Sequence, residues 1–124
     1  MERVRGALRE AMKIKGLRGA AIVDYYSRVI LGAIDAGAKF DLHTAGTGDT
    51  DVVRAKLRTL ESLGYPLDSI EDILITLTDE HHLIRPVMQR RLQGIFIYLV
   101  LDRDESELRS VRERLRAIEA DLEL

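Results

Sequence analysis

Two neighbouring segments near the N-terminus are apolar at consecutive positions, and this pattern restricts the folds open to the 124-residue chain. The first covers residues 16–24 and the second 29–34, with Tyr25-Tyr26-Ser27-Arg28 between them. The pattern predicts a β-hairpin. Because successive side chains of a strand point to opposite faces, arms of this kind require a sheet that is covered on both faces.

Three further segments show helical periodicity. Helix one is predicted over 2–15 and helix two from about 50 or 51 to 63, each followed by a glycine suited to a helix C-terminus. The glycine-containing segment 35–49 is predicted as a loop whose end, Asp49-Thr50-Asp51, offers N-cap side chains. Asp104 and Glu107 resemble a capping box before the last helix. The apolar stripe of that helix consists of Leu108, Val111, Leu115, Ile118 and Leu122.

Strands three, four and five are predicted over 70–77, 82–88 and 95–101, with a turn at 78–81 between the first two. Pro86 cannot donate to a ladder, so we expect strand four to pair imperfectly or to carry a bulge there. The order α-β-β-α-β-β-β-α predicts an α+β fold. The five-stranded antiparallel sheet is flanked by the three helices, which together cover both of its faces. The whole forms a single domain over 1–124.

Composition excludes several classes of function. The 19 basic and 21 acidic residues nearly cancel, which argues against a nucleic acid or an anionic membrane as partner. The longest apolar run is only strand length, so no membrane span is predicted. The chain has no cysteine and no signal-peptide pattern, which together suit a cytoplasmic location.

No segment carries a catalytic signature. The stretch 46–50 lacks the Gly-Lys-Ser/Thr ending of a phosphate-binding loop, so a flexible loop with a helix cap is the favoured interpretation. Asp79, Glu80, His81 and His82 invite a metal interpretation, but adjacent strand residues point to opposite faces and a solvated turn is favoured. We therefore predict no catalytic residue, no metal and no cofactor.

Lys56 interrupts the apolar side of helix two, whose arc spans roughly 140° at about 100° per residue. Two interpretations stay open. The lysine stem could lie on apolar surface while its ammonium group reaches solvent. Alternatively, the helix packs on its own sheet with part of the arc and on another chain with the rest. The arc consists of Val52, Val53, Leu57, Leu60 and Leu63.

Four stretches, together with the order of elements, carry a resemblance that covers nearly the whole chain. They are residues 16–24, 70–75, 83–87 and 96–102. On these stretches the sequence resembles the Roadblock/dynein light chain family. The resemblance implies a small non-catalytic α+β domain that dimerises, with the second helix and third strand of each subunit meeting. It also implies an activating or scaffolding role beside a Ras-like small GTPase in signalling, polarity or motility.

Applied to this chain, the resemblance implies a homodimer and assigns two sets of residues. The implied dimer interface comprises Val52, Lys56, Leu63, Ile73 and Ile75. The implied GTPase-binding residues are Arg54, Arg58 and Glu61. The chain departs from the family where Tyr25-Tyr26-Ser27-Arg28 replaces the usual aspartate-glycine turn. An alternative is a small-molecule-sensing domain of the profilin or PAS kind, which predicts an internal pocket with a few converging polar groups.

Overall fold

The computed structural model describes residues 2–87 and 94–123, and these residues form three helices and five strands in the predicted order. The predicted α+β class is therefore confirmed. The elements are α1 (Glu2–Ala11), β1 (Leu17–Asp24), β2 (Val29–Asp35), α2 (Leu42–Ser62), β3 (Ile73–Thr76), β4 (Glu80–Val87), β5 (Ile95–Asp102) and α3 (Leu108–Glu123). Among the described helices, none combines the length and apolarity that crossing a membrane requires.

The strands form one antiparallel sheet in the order β2-β1-β5-β4-β3. β5 occupies the centre, as its long apolar run predicts, and β2 and β3 are the edges. Side chains of β1 and β5 alternate between two separate hydrophobic cores, one on each side of the sheet. The prediction that helices must cover both faces is thereby confirmed.

One core lies between the sheet and helices α1 and α3. Val4 and Leu8 of α1 belong to this core together with Ile97 and Leu99 of β5, and both lie beside Gly32 of β2. The predicted stripe of α3 is confirmed, with Leu108 partly buried and the other four residues fully buried. Those four are Val111, Leu115, Ile118 and Leu122.

The other face is covered by α2, which crosses β1 and β2. Its buried stripe consists of Leu42, Gly46, Thr50 and Val53. Two close approaches need glycine. A Cβ at Gly19 would lie 2.8 Å from the Leu42 side chain, and one at Gly46 would lie 3.0 Å from that of Ile30. A larger residue at either position would require the Leu42 or Ile30 side chain to move.

The prediction for helix two was wrong over its first half. α2 begins at Leu42, nine residues before 51, and the segment predicted as a loop supplies its N-terminal turns. Asp41 is the N-cap, because its side chain accepts hydrogen bonds from the His43 amide at 3.0 Å and the Thr44 hydroxyl at 2.9 Å. The stretch 46–50 is helical, so it is neither a phosphate loop nor a cap.

Two other helix boundaries also differ from prediction. α1 ends at Ala11, and turns at 12–15 lead to Gly16, whose φ of +88° begins the path into β1. The capping box was wrong, because α3 begins only at Leu108. Asp102 organises the preceding turn instead, its side chain accepting from the amides of Asp104 at 2.8 Å and Glu105 at 3.0 Å.

The strands on the β3 side are also shifted. β3 covers Ile73–Thr76 and is shorter than predicted, whereas β4 begins at Glu80, within the predicted turn. Met88, the predicted last residue of strand four, lies outside the described residues. β4 pairs with β5 through Pro86 without a register shift, so the expected bulge is absent there. Pairing with β3 has already ended at Ile84, so the missing N–H interrupts no ladder on that side.

Candidate interaction surfaces

Helix α2 has two flanks that differ in how their charges are satisfied. At about 100° per residue, Asp51, Arg54, Arg58 and Glu61 lie on one side of the buried stripe. This side is here called the turn flank, because it faces the turn between β1 and β2. The opposite side, the open flank, consists of Ala45, Asp49, Val52, Lys56 and Leu63. The predicted partner-binding residues and the predicted dimer residues of α2 therefore lie on different flanks.

The turn flank is bonded to the hairpin. The Arg54 guanidinium donates to the carbonyl of Tyr25 at 2.7 Å and to that of Tyr26 at 2.6 Å. Asp51 accepts hydrogen bonds from Arg28 and forms an ion pair with it. Arg58 and Glu61 remain exposed.

A shallow groove of about 310 Å³ runs between α2 and the turn. The groove is lined by Tyr25, Tyr26, Arg54, Leu57, Arg58, Glu61 and Leu67. The structure thus brings the three predicted partner-binding residues together, although the guanidinium of Arg54 is already engaged within the chain.

The chain reverses direction between β1 and β2 without an aspartate-glycine pair. The Asp24 side chain accepts from the amides of Tyr26 at 2.9 Å and Ser27 at 3.3 Å, and Arg28 adopts a left-handed φ of +68°. The Tyr25 amide donates to the carbonyl of Gly94 at 2.7 Å. Burial, as the main cause, raises the pKa of Tyr25 to about 12. Tyr26 is 67% exposed, so an aromatic ring stands at the rim of the groove.

The open flank contains two charged side chains without partners. Asp49 is half-buried, and its Oδ2 atom is shielded from solvent without a hydrogen-bond donor in the described structure. Burial alone raises the pKa of its carboxyl group to about 7. Lys56 is exposed and forms no ion pair with any of the described residues. Between them, Val52 is 38% exposed, which is high for a valine on a helix that covers a sheet.

Beside the open flank, a polar cluster crosses the sheet surface. The Tyr98 hydroxyl lies 3.1 Å from Nδ1 of His82, and Nε2 of His82 lies 3.4 Å from a Glu80 carboxylate oxygen. Burial and, secondarily, the negative charges of Asp49 and Glu80 raise the pKa of Tyr98. The prediction of a solvated turn at these histidines was wrong, because β4 begins at Glu80, which is buried. Within the described ranges, no three acidic or histidine side chains converge in a way that could hold a metal ion.

The edge strand β3 lies on the same side of the molecule as the open flank. Ile73 packs into the core beneath α2, and Ile75, two residues further along the strand, points to the same face and is half-buried. The residues predicted for the dimer interface therefore share one side of the sheet. Further exposed apolar side chains occur along the chain after α2. These are Leu63, Tyr65, Leu67 and, beyond β3, Leu77.

The opposite edge of the sheet is less suited to pairing. The register of β2 against β1 shifts between Ile22 and Val23, which marks an irregularity in the edge strand. Such irregularities twist an edge and oppose the addition of a further strand. β3 pairs with β4 without a shift over its four residue pairs, and its outer edge is regular. Of the two edges, that of β3 is better suited to pair with another strand.

Comparison with known proteins identifies solved structures with a similar architecture. No model of a protein family matches the sequence, and no curated protein matches it. Among solved structures, the gliding protein MglB of Thermus thermophilus superposes with a TM-score of 0.79 at 18% identity, covering 98% of this chain and 86% of that one. An MglB with a tetrameric arrangement gives 0.80 at 18% identity, with 98% and 85% covered.

A Roadblock/LC7 domain from Streptomyces avermitilis matches with a TM-score of 0.68 at 6% identity, covering 98% of this chain and 92% of that one. At these identities the likeness concerns the fold. The chain has a Roadblock-type fold, and the resemblance noted in the sequence is confirmed at that level.

Proposed function

We propose that this chain is a non-catalytic, dimeric regulator or adaptor of a Ras-like small GTPase. The observation that carries the proposal is the contrast between the two flanks of α2, one bonded to the hairpin turn and one with unpartnered charge beside an unpaired strand edge. The Roadblock-type fold supports it, since two similar structures are MglB proteins and one of them has a tetrameric arrangement.

The proposed dimer forms through the open flank and β3. Val52 and Lys56 contribute from α2, Leu63 from its C-terminal end, and Ile73 and Ile75 from β3. Antiparallel pairing of two β3 edges would satisfy the backbone groups that β3 presents outward. Burial of the apolar side chains around it supplies the favourable free energy, at roughly 25 cal/mol per Å² of apolar surface.

The proposed GTPase site is the groove on the turn flank. Arg58 and Glu61 offer exposed charges of both signs, and the exposed ring of Tyr26 offers the apolar contact typical of interface centres. Arg54 shapes the groove from behind, because two turn carbonyls occupy its guanidinium. Arg54 is therefore not the residue that would supply a cation to the GTPase. Following the family resemblance, we propose that any acceleration of GTP hydrolysis comes from ordering the loops of the GTPase.

The dimer is tested by sedimentation of the wild-type chain and of Lys56→Glu. We expect a concentration-dependent dimer for the wild type and a weaker one for the variant. The matched control is Arg116→Glu, which reverses an exposed cation on α3, remote from α2. An unchanged dimer in Lys56→Glu would remove Lys56 from the interface.

The GTPase site is tested by binding of a Ras-like small GTPase from the same organism, loaded with GDP or with a GTP analogue. Arg58→Glu and Glu61→Arg should weaken binding at least about tenfold, whereas Arg116→Glu should not. Equal binding by all variants would exclude the groove. Thermal stabilisation of this chain by nucleotides or other small molecules without a GTPase would instead support the ligand-sensing alternative.

A further inference from the structure

The two unpartnered charges of the open flank are arranged in a way that suits a second copy of the chain. Asp49 and Lys56 are seven residues apart, which is about 20° short of two helical turns and about 10.5 Å along the axis. They therefore lie on one line of the helix surface, with Val52 between them. At that separation they are too far apart to pair within one helix.

Asp49 lacks a donor within the described part of the chain, whereas Lys56 is exposed and able to reach a partner. The Oδ2 atom of Asp49 is shielded from solvent without a donor from the described residues, and a shielded carboxylate is costly unless a cation or donors reach it. Lys56 is the nearest cation on the same line of the helix, and its ammonium group reaches outward from an apolar surface. A donor for Asp49 must therefore come from outside the helix itself.

Two-fold symmetry supplies such a donor. In a symmetric dimer, if residue i of one protomer faces residue j of its partner, then j also faces i. When two copies of α2 cross in antiparallel directions, pairs with the same sum of residue numbers oppose each other. The midpoint of 49 and 56 falls between Val52 and Val53, so an axis at that point, beside Val52, brings each Asp49 opposite the partner's Lys56.

We propose that Asp49 of one protomer forms an ion pair with Lys56 of the partner subunit across an antiparallel α2–α2 contact centred on Val52. The inference rests on the proposed dimer through the open flank and specifies its register and direction. Two identical pairs form per dimer, one on each side of the axis. A parallel contact would instead place like charges together, so the charge pattern also excludes that arrangement.

The decisive experiment uses two opposite charge reversals. Asp49→Lys leaves two cations on the open flank, and Lys56→Glu leaves two anions. Each variant alone should self-associate at least about tenfold more weakly than the wild type. Mixed in equal amounts, they should form a heterodimer about as stable as the wild-type dimer, because both cross-pairs are again attractive. Arg116→Glu, mixed with either variant, is the control: it keeps Asp49 and Lys56, so its heterodimer has one attractive and one repulsive pair and should be weaker than the charge-swapped heterodimer.

The outcomes separate this inference from the dimer itself. A wild-type chain that stays monomeric at every accessible concentration overturns the proposed dimer and the ion pair with it. A wild-type dimer that both reversals leave unchanged, with random exchange in the mixture, overturns the ion pair alone and leaves the dimer standing.

A second set of variants applies if Asp49→Lys does not fold, which circular dichroism would show. Asp49→Asn and Lys56→Gln remove each charge with little change of shape. If the residues pair, Lys56→Gln should weaken the dimer in the wild-type background and have little further effect in the Asp49→Asn background. Losses that simply multiply in the double variant would overturn the proposal.

Discussion

The charged residues on the two flanks of α2 are satisfied in opposite ways. On the turn flank, Arg54 and Asp51 are bonded within the chain, to the turn carbonyls and to Arg28. On the open flank, Asp49 and Lys56 have no partner among the described residues. The bonds of Arg54 fix the turn against the helix, whereas unpartnered charges beside exposed apolar surface support the proposed interface.

The largest effect on self-association is expected when an anion is placed at the centre of the open flank. Val52→Glu should weaken self-association by about 100-fold, equivalent to about 2.7 kcal/mol, because the new carboxylates face each other across the axis. Val29→Glu is the matched control at the β2 edge, where Val29 is 52% exposed. Sedimentation equilibrium measures both, and a comparable loss in Val29→Glu would move the interface to the other edge.

On the turn flank, the comparable substitution should affect folding rather than association. Arg54→Ala removes a partly buried hydrogen bond to the Tyr25 carbonyl and an exposed one to the Tyr26 carbonyl, and we expect a loss of about 2 kcal/mol in the free energy of unfolding. Lys56→Ala should change it by less than about 0.5 kcal/mol when measured on the monomer in urea. An equal loss in the free energy of unfolding for both variants would contradict the distinction between the flanks.

Association should also depend on pH through Asp49. Burial raises its carboxyl pKa to about 7, so in the monomer this group makes folding less favourable as the pH rises through that value. Pairing with the partner's Lys56 lowers this pKa, so dimerisation releases protons and tightens with rising pH. We expect roughly fivefold per pair between pH 6 and pH 7 and a plateau above.

The Asp49→Asn variant isolates this effect from its neighbours. The Tyr98 hydroxyl on β5 and the His82 imidazole and Glu80 carboxylate on β4 lie beside Asp49 and are kept in the variant. The pH dependence of dimerisation, followed by sedimentation across this range, should therefore largely disappear. A dependence that persists unchanged would assign the proton to one of those groups instead.

The smallest effect is expected for the exposed ion pair between Arg28 and Asp51. Both side chains are substantially exposed, and pairs of this kind are screened by solvent and salt. The melting temperatures of Arg28→Ala, of Asp51→Ala and of the double variant should agree within experimental error. A clear coupling between them would show that the turn flank depends on this pair as well as on Arg54.

How much of this could be predicted from the sequence differed along the chain. The alternation of β1 and β5 between two cores followed from consecutive apolar residues, because strand geometry leaves few other solutions. The stripe of α3 followed from its spacing. The first half of α2 did not, because Gly46 and Gly48 have low helix propensity and a close contact with the hairpin overrides it.

That error also explains why the sequence identified Lys56 but not Asp49 as an interface residue. Lys56 interrupts an apolar arc in the part of the helix that was predicted, so its departure from the pattern was visible. Asp49 lay in the predicted loop and was interpreted as a helix cap. The available signal was Asp41, a good N-cap followed by an apolar residue, but the glycines that follow it outweighed that signal.

Gly46 and Gly48 have a consequence for local stability. Each costs its helix about 1 kcal/mol relative to alanine, so the first turns of α2 depend on contact with the hairpin more than the last turns do. We expect amide hydrogens of residues 45–50 to exchange with solvent sooner than those of 53–60, through local opening. Because Asp49 lies in this segment, dimerisation should slow exchange there first, so that the weakest part of the helix reports whether its partner is bound.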